Sequence, residues 1–441
     1  MRDRRTWMAF ISLIAALVVA LTVPHNEAKM TLSQSFPATT CPSDPSQATT
    51  TATLPSSKIA VREIAPKKSI TLRTASVYNY QIGAPLLIDS SPLTTISSAH
   101  TGSWNAEVLC AVGTPDEWFI GGSGSLTSQG YFDIVNSGLS DSMVDIYPYT
   151  SKAALPVTSV VIKANSEKEV GLDALAPSED SVAFHVLTRS GRSTTFLFDQ
   201  RKKGLSSLGG EFVEPTSSPS SLVVLPGIIN STSRTYGSLT NTLRLLVPGS
   251  VDANLHVVIH ASDGSFAPSG LDQFHLAHGV VKDISLSNII AASPYSVVIQ
   301  SDQPVLASIN SHTSSDLAWS TSALPISQLT MNFGANLGNA QPTFAFISPS
   351  GSVSVVIQWK GIGGKSGTVR LAGSDIALWR PTTSLTRVTF TSAGGSSTPT
   401  NATYGAMISI GGGISYLPLN QGAALESART PVVDARVITH Q

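Results

Sequence analysis

At 441 residues, a net charge of −1 and a pI near 6.8, the chain lacks the basic excess of a nucleic-acid-binding protein, and no basic patch stands out along it. Charged residues make up only 12% while Ser, Thr and Gly are plentiful, which suits exposed β surfaces and turns rather than charged amphipathic helices. A chain of this length holds about two to four domains, each able to bury its own core.

Arg2, Arg4 and Arg5 precede an uncharged apolar run from Trp7 to Val23 that stops at Pro24. The run addresses the chain to a membrane, with residues 1–6 cytoplasmic by the positive-inside rule and 7–23 a single-pass anchor or a signal peptide. Val23-Pro-His-Asn is a poor cleavage site and Asn26-Glu-Ala a partial one, so the anchor is the first expectation and secretion after cleavage the alternative. Everything after Pro24 is then expected outside the cytoplasm. Residues 24–57 read as a stalk, because well over half of Thr31 to Ser57 is Ser, Thr or Pro, with almost nothing large and apolar to bury. Cys41 and Cys110 are the chain's two cysteines, and an even count in an exported chain predicts one disulfide between them. They lack the neighbouring Cys or His pair that a zinc site needs.

Short β-like pieces begin at Ile59-Ala-Val-Arg-Glu-Ile and Ser69-Ile-Thr-Leu-Arg. From Trp118 they recur closely: Trp118–Ile120, Tyr131–Val135, Met143–Tyr147, Ser159–Ile162, Glu169–Leu172, Val182–Leu187 and Thr194–Phe198. About seven strands in ~100 residues is the count of an immunoglobulin-like sandwich. The stretch Tyr131 to Gln200 then returns at an offset of 112 to 114 residues, as Leu243-Arg-Leu-Leu-Val-Pro-Gly, Leu255-His-Val-Val-Ile-His and Tyr295-Ser-Val-Val-Ile-Gln. A fainter third copy runs from Thr343-Phe-Ala-Phe-Ile to Tyr404-Gly-Ala-Met-Ile. The expected fold is therefore all-β: a first sandwich with lead-in strands over 58–215, a second over 216–322, a third over 323–420 and a tail over 421–441.

Two motifs sit in the turns of this repeat. Trp118-Phe119-Ile-Gly121-Gly122 follows Cys110, and the second copy carries Leu-Val-Pro248-Gly249 and later Ser301-Asp302-Gln-Pro304-Val. On these residues, over most of 41–419, the sequence resembles DUF5719, a family of uncharacterised actinobacterial envelope proteins. It departs from the family pattern at Ser137, where Pro is usual, and at Ile347-Ser-Pro-Ser. The resemblance implies an N-terminal membrane segment and β-sandwich-like repeats, with no known activity and no catalytic residue to carry across.

Chemistry-bearing patterns give little. Lys360-Gly-Ile-Gly-Gly-Lys-Ser-Gly imitates a phosphate loop, but its first glycine position is Trp359 and a strand follows, so it reads as a hairpin. His256 and His260 lie four apart on a strand, ~13 Å from each other, too far for one metal. His275 and His278 lack a third ligand in sequence, and Gly121-Gly-Ser-Gly-Ser breaks the nucleophile-elbow pattern at its last position. No cofactor, metal or catalytic residue is expected. The reading is a non-enzymatic, membrane-anchored envelope protein that presents sandwich surfaces to a protein partner. Cell-wall polysaccharide, met by exposed tryptophans, is the alternative, and a hydrolase working between two domains the third. Oligomeric state stays open.

Overall fold

The computed structural model describes Trp7 and residues 37–45, 48–54, 60–64, 69–71, 78–89, 96–101, 104–204, 206–216, 218–230, 239–286, 293–333, 342–392 and 398–420. Apart from Trp7, the apolar run 7–23 lies outside the described residues, as does the tail 421–441. Among the described residues no helix is long and apolar enough to cross a membrane.

The strands follow from period-two burial. In Ser142–Thr150 the side chains of Val144, Ile146 and Pro148 point inward, while Met143, Asp145, Tyr147 and Tyr149 take the other face. Among the described residues the strand pairing repeats four times. Repeat 1 runs through β1 Pro37–Cys41, β2 Thr49–Leu54, β3 Ala60–Glu63, β4 Ser69–Thr71, β5 Tyr78–Ile82, β6 Leu86–Asp89, β7 Ile96–His100 and β8 Asn105–Leu109. Repeat 2 runs through β9 Asp116–Phe119, β10 Tyr131–Asn136, β11 Ser142–Thr150, β12 Thr158–Ile162, β13 Ser166–Gly171, the one-turn helix α1 Leu172–Leu175, β14 Val182–Ser190, β15 Ser193–Lys203 and β16 Ser206–Val213. In both, one sheet has the order first-sixth-third-fourth and the other fifth-second-seventh-eighth.

Repeats 3 and 4 keep this pairing but fuse neighbouring strands. Repeat 3 has β17 Ser220–Ile228, β18 Thr240–Leu246, β19 Ala253–Ala261, a fourth strand split into β20 Gly264–Phe266 and β21 Phe274–Leu276, β22 Val281–Ser285, β23 Tyr295–His312 and β24 Leu317–Thr321. Here β23 is the sixth and seventh strands in one: its first half pairs β17 and β19, its second half β18 and β24. Repeat 4 has β25 Gln328–Asn332, β26 Thr343–Gly361, β27 Ser366–Trp379, β28 Leu385–Ser392, β29 Tyr404–Ile410 and β30 Ile414–Pro418. There β26 serves as second and third strands and β27 as fourth and fifth. The order differs from that of a constant-type immunoglobulin domain, whose first strand pairs with its second.

Repeat 1 departs from the reading of 24–57 as a flexible stalk, since β1 and β2 lie inside it. Its Thr residues are β-branched and suit a strand, and Cys41, Ala52 and Leu54 fill a small core with Ile82, Leu86 and Ile88. The Cys41–Cys110 disulfide forms, with Cα atoms 4.4 Å apart, and closes the first strand of the repeat onto the segment after its eighth. Thr40 and Ala111 exchange backbone hydrogen bonds of 2.8 and 2.9 Å beside it.

The four repeats close on one another. Their eighth strands touch in a cycle: β8 against β16, β16 against β24, β24 against β30, and β30 against β8. Ile96 and Leu109 of repeat 1 are buried in the core of repeat 4, so first and last repeats meet directly. At the centre lie buried carboxylates. Glu211 on β16 accepts the N–H of Glu107 on β8 at 3.0 Å and of Tyr416 on β30 at 3.1 Å. Asp316, ahead of β24, accepts from the amides of Leu317 at 2.8 Å and Ile414 at 2.7 Å. Ser409 donates to Glu107 at 3.1 Å. An eighth strand is a sheet edge with free N–H groups, and carboxylates of repeats 2 and 3 satisfy those of β8 and β30 here.

Candidate functional site

Where repeats 2 and 3 meet, Trp118, Pro219, Val247, Pro248, Gly249, Val251, Gln303 and Pro304 line a cleft of about 280 Å³. Four chain segments build it, one of them contributing Pro219 just ahead of β17. The first is β9, whose Trp118 is buried against Leu246, Val281 and Leu306 of repeat 3 while Phe119 is sealed in the repeat 2 core, edge-on to Phe132 at 5.3 Å. The second is the turn between β18 and β19, and the third is the bend in the middle of β23. Trp118 is also locked in place by mutual backbone hydrogen bonds of 2.8 Å with Thr216. The volume suits one or two side chains rather than a drug-sized ligand, and Gln303 is the one lining residue with a polar side chain besides the Trp118 indole.

Motif residues thus converge. Pro248 and Gly249 form one wall and Pro304 another, with Ser301 and Asp302 shaping the bend that presents it. Ser301 Oγ accepts the Gln303 N–H at 3.3 Å, and Asp302 accepts from the Asn254 amide and side chain, both at 2.8 Å. In repeat 2 the turn that corresponds to Val247-Pro248-Gly249 uses Asn136, whose Oδ1 accepts the Gly138 N–H at 2.8 Å and whose Nδ2 donates to Ser140 and Ile162. Gly121 and Gly122 stay outside the cleft. A side chain at Gly121 would meet Val213 and Trp319, and Gly122 sits at φ +86. Its carbonyl accepts from Arg244 at 2.7 Å.

Arg244 escapes sequence reading because it sits among leucines with no pattern around it. It is nearly fully buried, holds Asp283 through two hydrogen bonds of 2.9 Å, donates to the Gly122 and Val182 carbonyls and lies over the Trp319 ring. It therefore fixes the angle between the repeats that form the cleft.

The sheet face running up to the cleft is aromatic. His185 stacks on Trp118 with ring centroids 3.9 Å apart, and Tyr149 lies 5.8 Å from Trp118 on another side. His185 Nε2 and Asp116 Oδ1 are 2.7 Å apart, while Arg189 reaches Asp145 at 2.8 Å and Tyr147 at 2.5 Å. Further along, the side chains of Met143 and Val161 are exposed on paired strands.

Elsewhere among the described residues, a serine, a histidine and an aspartate come together without the geometry of a nucleophile triad. Ser265, His260 and Asp375 do meet, but Ser265 Oγ and Asp375 both face His260 Nδ1, at 2.7 and 3.4 Å, and Ser265 donates to Asp375 directly. A nucleophilic serine needs the ring nitrogen opposite the one its carboxylate holds. Asp252 joins His278 at 2.5 Å and His275 at 3.2 Å through different oxygens. Among the described residues no group of three or more His, Cys, Asp or Glu could hold a metal ion. The Lys360–Ser366 stretch is a hairpin, with Gly363 and Gly364 at φ 75 and 77 between β26 and β27.

Comparison with known proteins turns on these segments. A family described as a family of unknown function (DUF5719) matches residues 97–375, more than half of the chain. The chain belongs to the DUF5719 family. The DUF5719 match takes in Cys110 and every cleft residue, from β7 to within β27. No curated protein matches this DUF5719 member. Among solved structures, the tetra-tandem repeat in the extending region of a large adhesion protein is similar at 9% identity, over 89% of this chain and 97% of that one. Its TM-score is 0.11, at which the likeness carries no argument.

Proposed function

We propose that this DUF5719 protein is a non-enzymatic component of the cell envelope. In this reading residues 7–23 anchor it in the membrane, the following repeats stand outside the cytoplasm as immunoglobulin-like modules in size, and the repeat 2–repeat 3 cleft receives a segment of an envelope protein. The observation that supports this most is the convergence of Trp118, Pro248, Gly249 and Pro304 on one apolar cleft next to an aromatic face. Trp, Tyr, Met and Arg are the residues enriched where proteins meet. Glycan recognition has weaker support, because Trp104, Trp319 and Trp379 are buried and His185 covers one face of Trp118.

A photo-crosslinking amino acid at Val251, which lines the cleft and is 57% exposed, tests this in the producing cell, with Leu126, 96% exposed, as control. A defined protein adduct from position 251 and not from 126 is expected. Polysaccharide as the only adduct, or the same adducts from both positions, would overturn it.

A further inference from the structure

We propose that the cleft recognises a cationic side chain, a lysine or arginine on an extended segment of the partner. This rests on the reading of the cleft as a protein-binding site and names the chemistry of what enters it.

The floor is apolar and the rim is acidic. Within two residues of every lining residue the chain carries no Lys or Arg, yet it carries the exposed carboxylates of Asp116 and Asp302 and the half-buried one of Asp252. Asp116 shares one face of β9 with Trp118, Asp252 follows Val251, and Asp302 precedes Gln303 and Pro304. Glu117, also on β9, points inward and is buried, so it takes no part. Hydrogen bonds from the amide and ring of His278 hold Asp252 below the usual carboxylate range, and those of Asn254 do the same for Asp302. Both stay charged at neutral pH. Asp252 pairs with His278 and His275, and Asp302 with Asn254, so neither is held by a Lys or Arg.

An apolar floor of Trp and Pro beneath carboxylates matches the two halves of a long basic side chain. The methylene stem packs on the floor while the charged head stays at the wet rim. An acidic side chain meets three like charges, and a plain aliphatic one leaves the rim unused. The cleft's volume of about 280 Å³ accommodates such a side chain and part of its backbone.

Fluorescence polarisation on the full chain tests this with a labelled Ala-Pro-Ala-Pro-Lys-Pro-Ala-Pro-Ala peptide and versions with Leu or Glu at the centre. The Lys peptide should bind about tenfold more tightly than the Leu peptide and the Glu peptide should not bind, with the preference shrinking as salt rises. Asp116→Asn combined with Asp302→Asn should remove most of the Lys-over-Leu preference, and Val251→Arg should abolish binding. Equal or tighter binding of the Leu peptide, a preference unmoved by salt, or no binding of the Lys peptide would overturn the inference. A protein adduct at position 251 whose crosslinked peptide lacks Lys and Arg would overturn it too, while leaving the protein-partner reading intact; polysaccharide there instead would remove both.

Discussion

The amide of Glu107 donates to the carboxylate of Glu211, 104 residues further along, at 3.0 Å. The other oxygen of Glu211 accepts from Tyr416 in the last repeat. One buried side chain thus joins the edges of three repeats, and the remaining edge is served by Asp316. Tandem sandwiches usually meet through linkers and small contacts, as beads. Here carboxylates stand in for strand partners and the beads close into a ring.

Closing the ring this way costs desolvation, and the cost shows as a pH dependence. Burial raises Glu107 to about 7 and Glu214 to about 8 and holds Glu211 and Asp316 well above their ordinary values; away from the ring it likewise raises Asp133 to about 7 and Glu117 to about 8. Between the unfolded value near 4.5 and these folded values the native state keeps protons that the unfolded chain has released. Stability therefore falls as pH rises through 7 and 8. Carboxylates with lowered values, such as Asp283, act the other way only near or below their unfolded value of 3.8. The thermal midpoint should be higher at about pH 5.5 than at about pH 8.5; a midpoint that rises across this window contradicts the burial.

Arg244→Met removes the guanidinium that holds Asp283, two carbonyls and the Trp319 face. Leaving Asp283 without its cation should cost about 3–5 kcal/mol. Arg244→Lys should recover less than half of that, because one ammonium cannot reproduce the fork. Urea denaturation measures both, and equal stability of Arg244→Lys and the parent would contradict the role of the fork.

Cys41→Ser with Cys110→Ser opens a loop whose ends are 69 residues apart in sequence. The loss should be about 2–5 kcal/mol. Because the bridge belongs to repeat 1, fluorescence of its buried Trp104 should report an earlier transition than the remaining tryptophans. Coincident, unshifted transitions would show that the bridge contributes nothing.

Two glycines separate backbone strain from crowding. Gly122 and Gly363 both take positive φ, +86 and +75, but a methyl at Gly122 would stand 2.6 Å from Leu172 Cδ1 and one at Gly363 meets nothing. Gly363→Ala should cost about 1 kcal/mol and Gly122→Ala clearly more. The reverse ranking in a thermal melt would mean that Leu172 does not pack there.

Much of the fold is written in period-two patterns. Val144 and Ile146 mark β11, and the return of Tyr131 to Gln200 at Leu243 to Gln300 matches strands with the same partners, β10 with β18 and β11 with β19. In repeat 1 the lead-in pieces that become β3 and β4 are legible, but β1 and β2 are not, because they are mostly Thr and Ala and their apolar content is completed by Ile82, Leu86 and Ile88 from strands beyond them. The ring was illegible for another reason: nothing around Glu107 or Glu211 distinguishes an inward carboxylate from a solvated one. The motif residues were visible as turn formers, but their convergence depends on the angle set by Arg244 and Asp283.

Backbone hydrogen exchange at Glu107, Leu109, Ile414 and Tyr416 tests the ring most directly. In separate beads these amides lie on open edges of their sheets and exchange quickly. In the ring they donate to Glu211, Glu214 and Asp316, and should be protected to the same degree as amides inside the β7–β8 and β29–β30 ladders. Exchange at the rate of a free edge would contradict the closed arrangement on which the placement of the cleft depends.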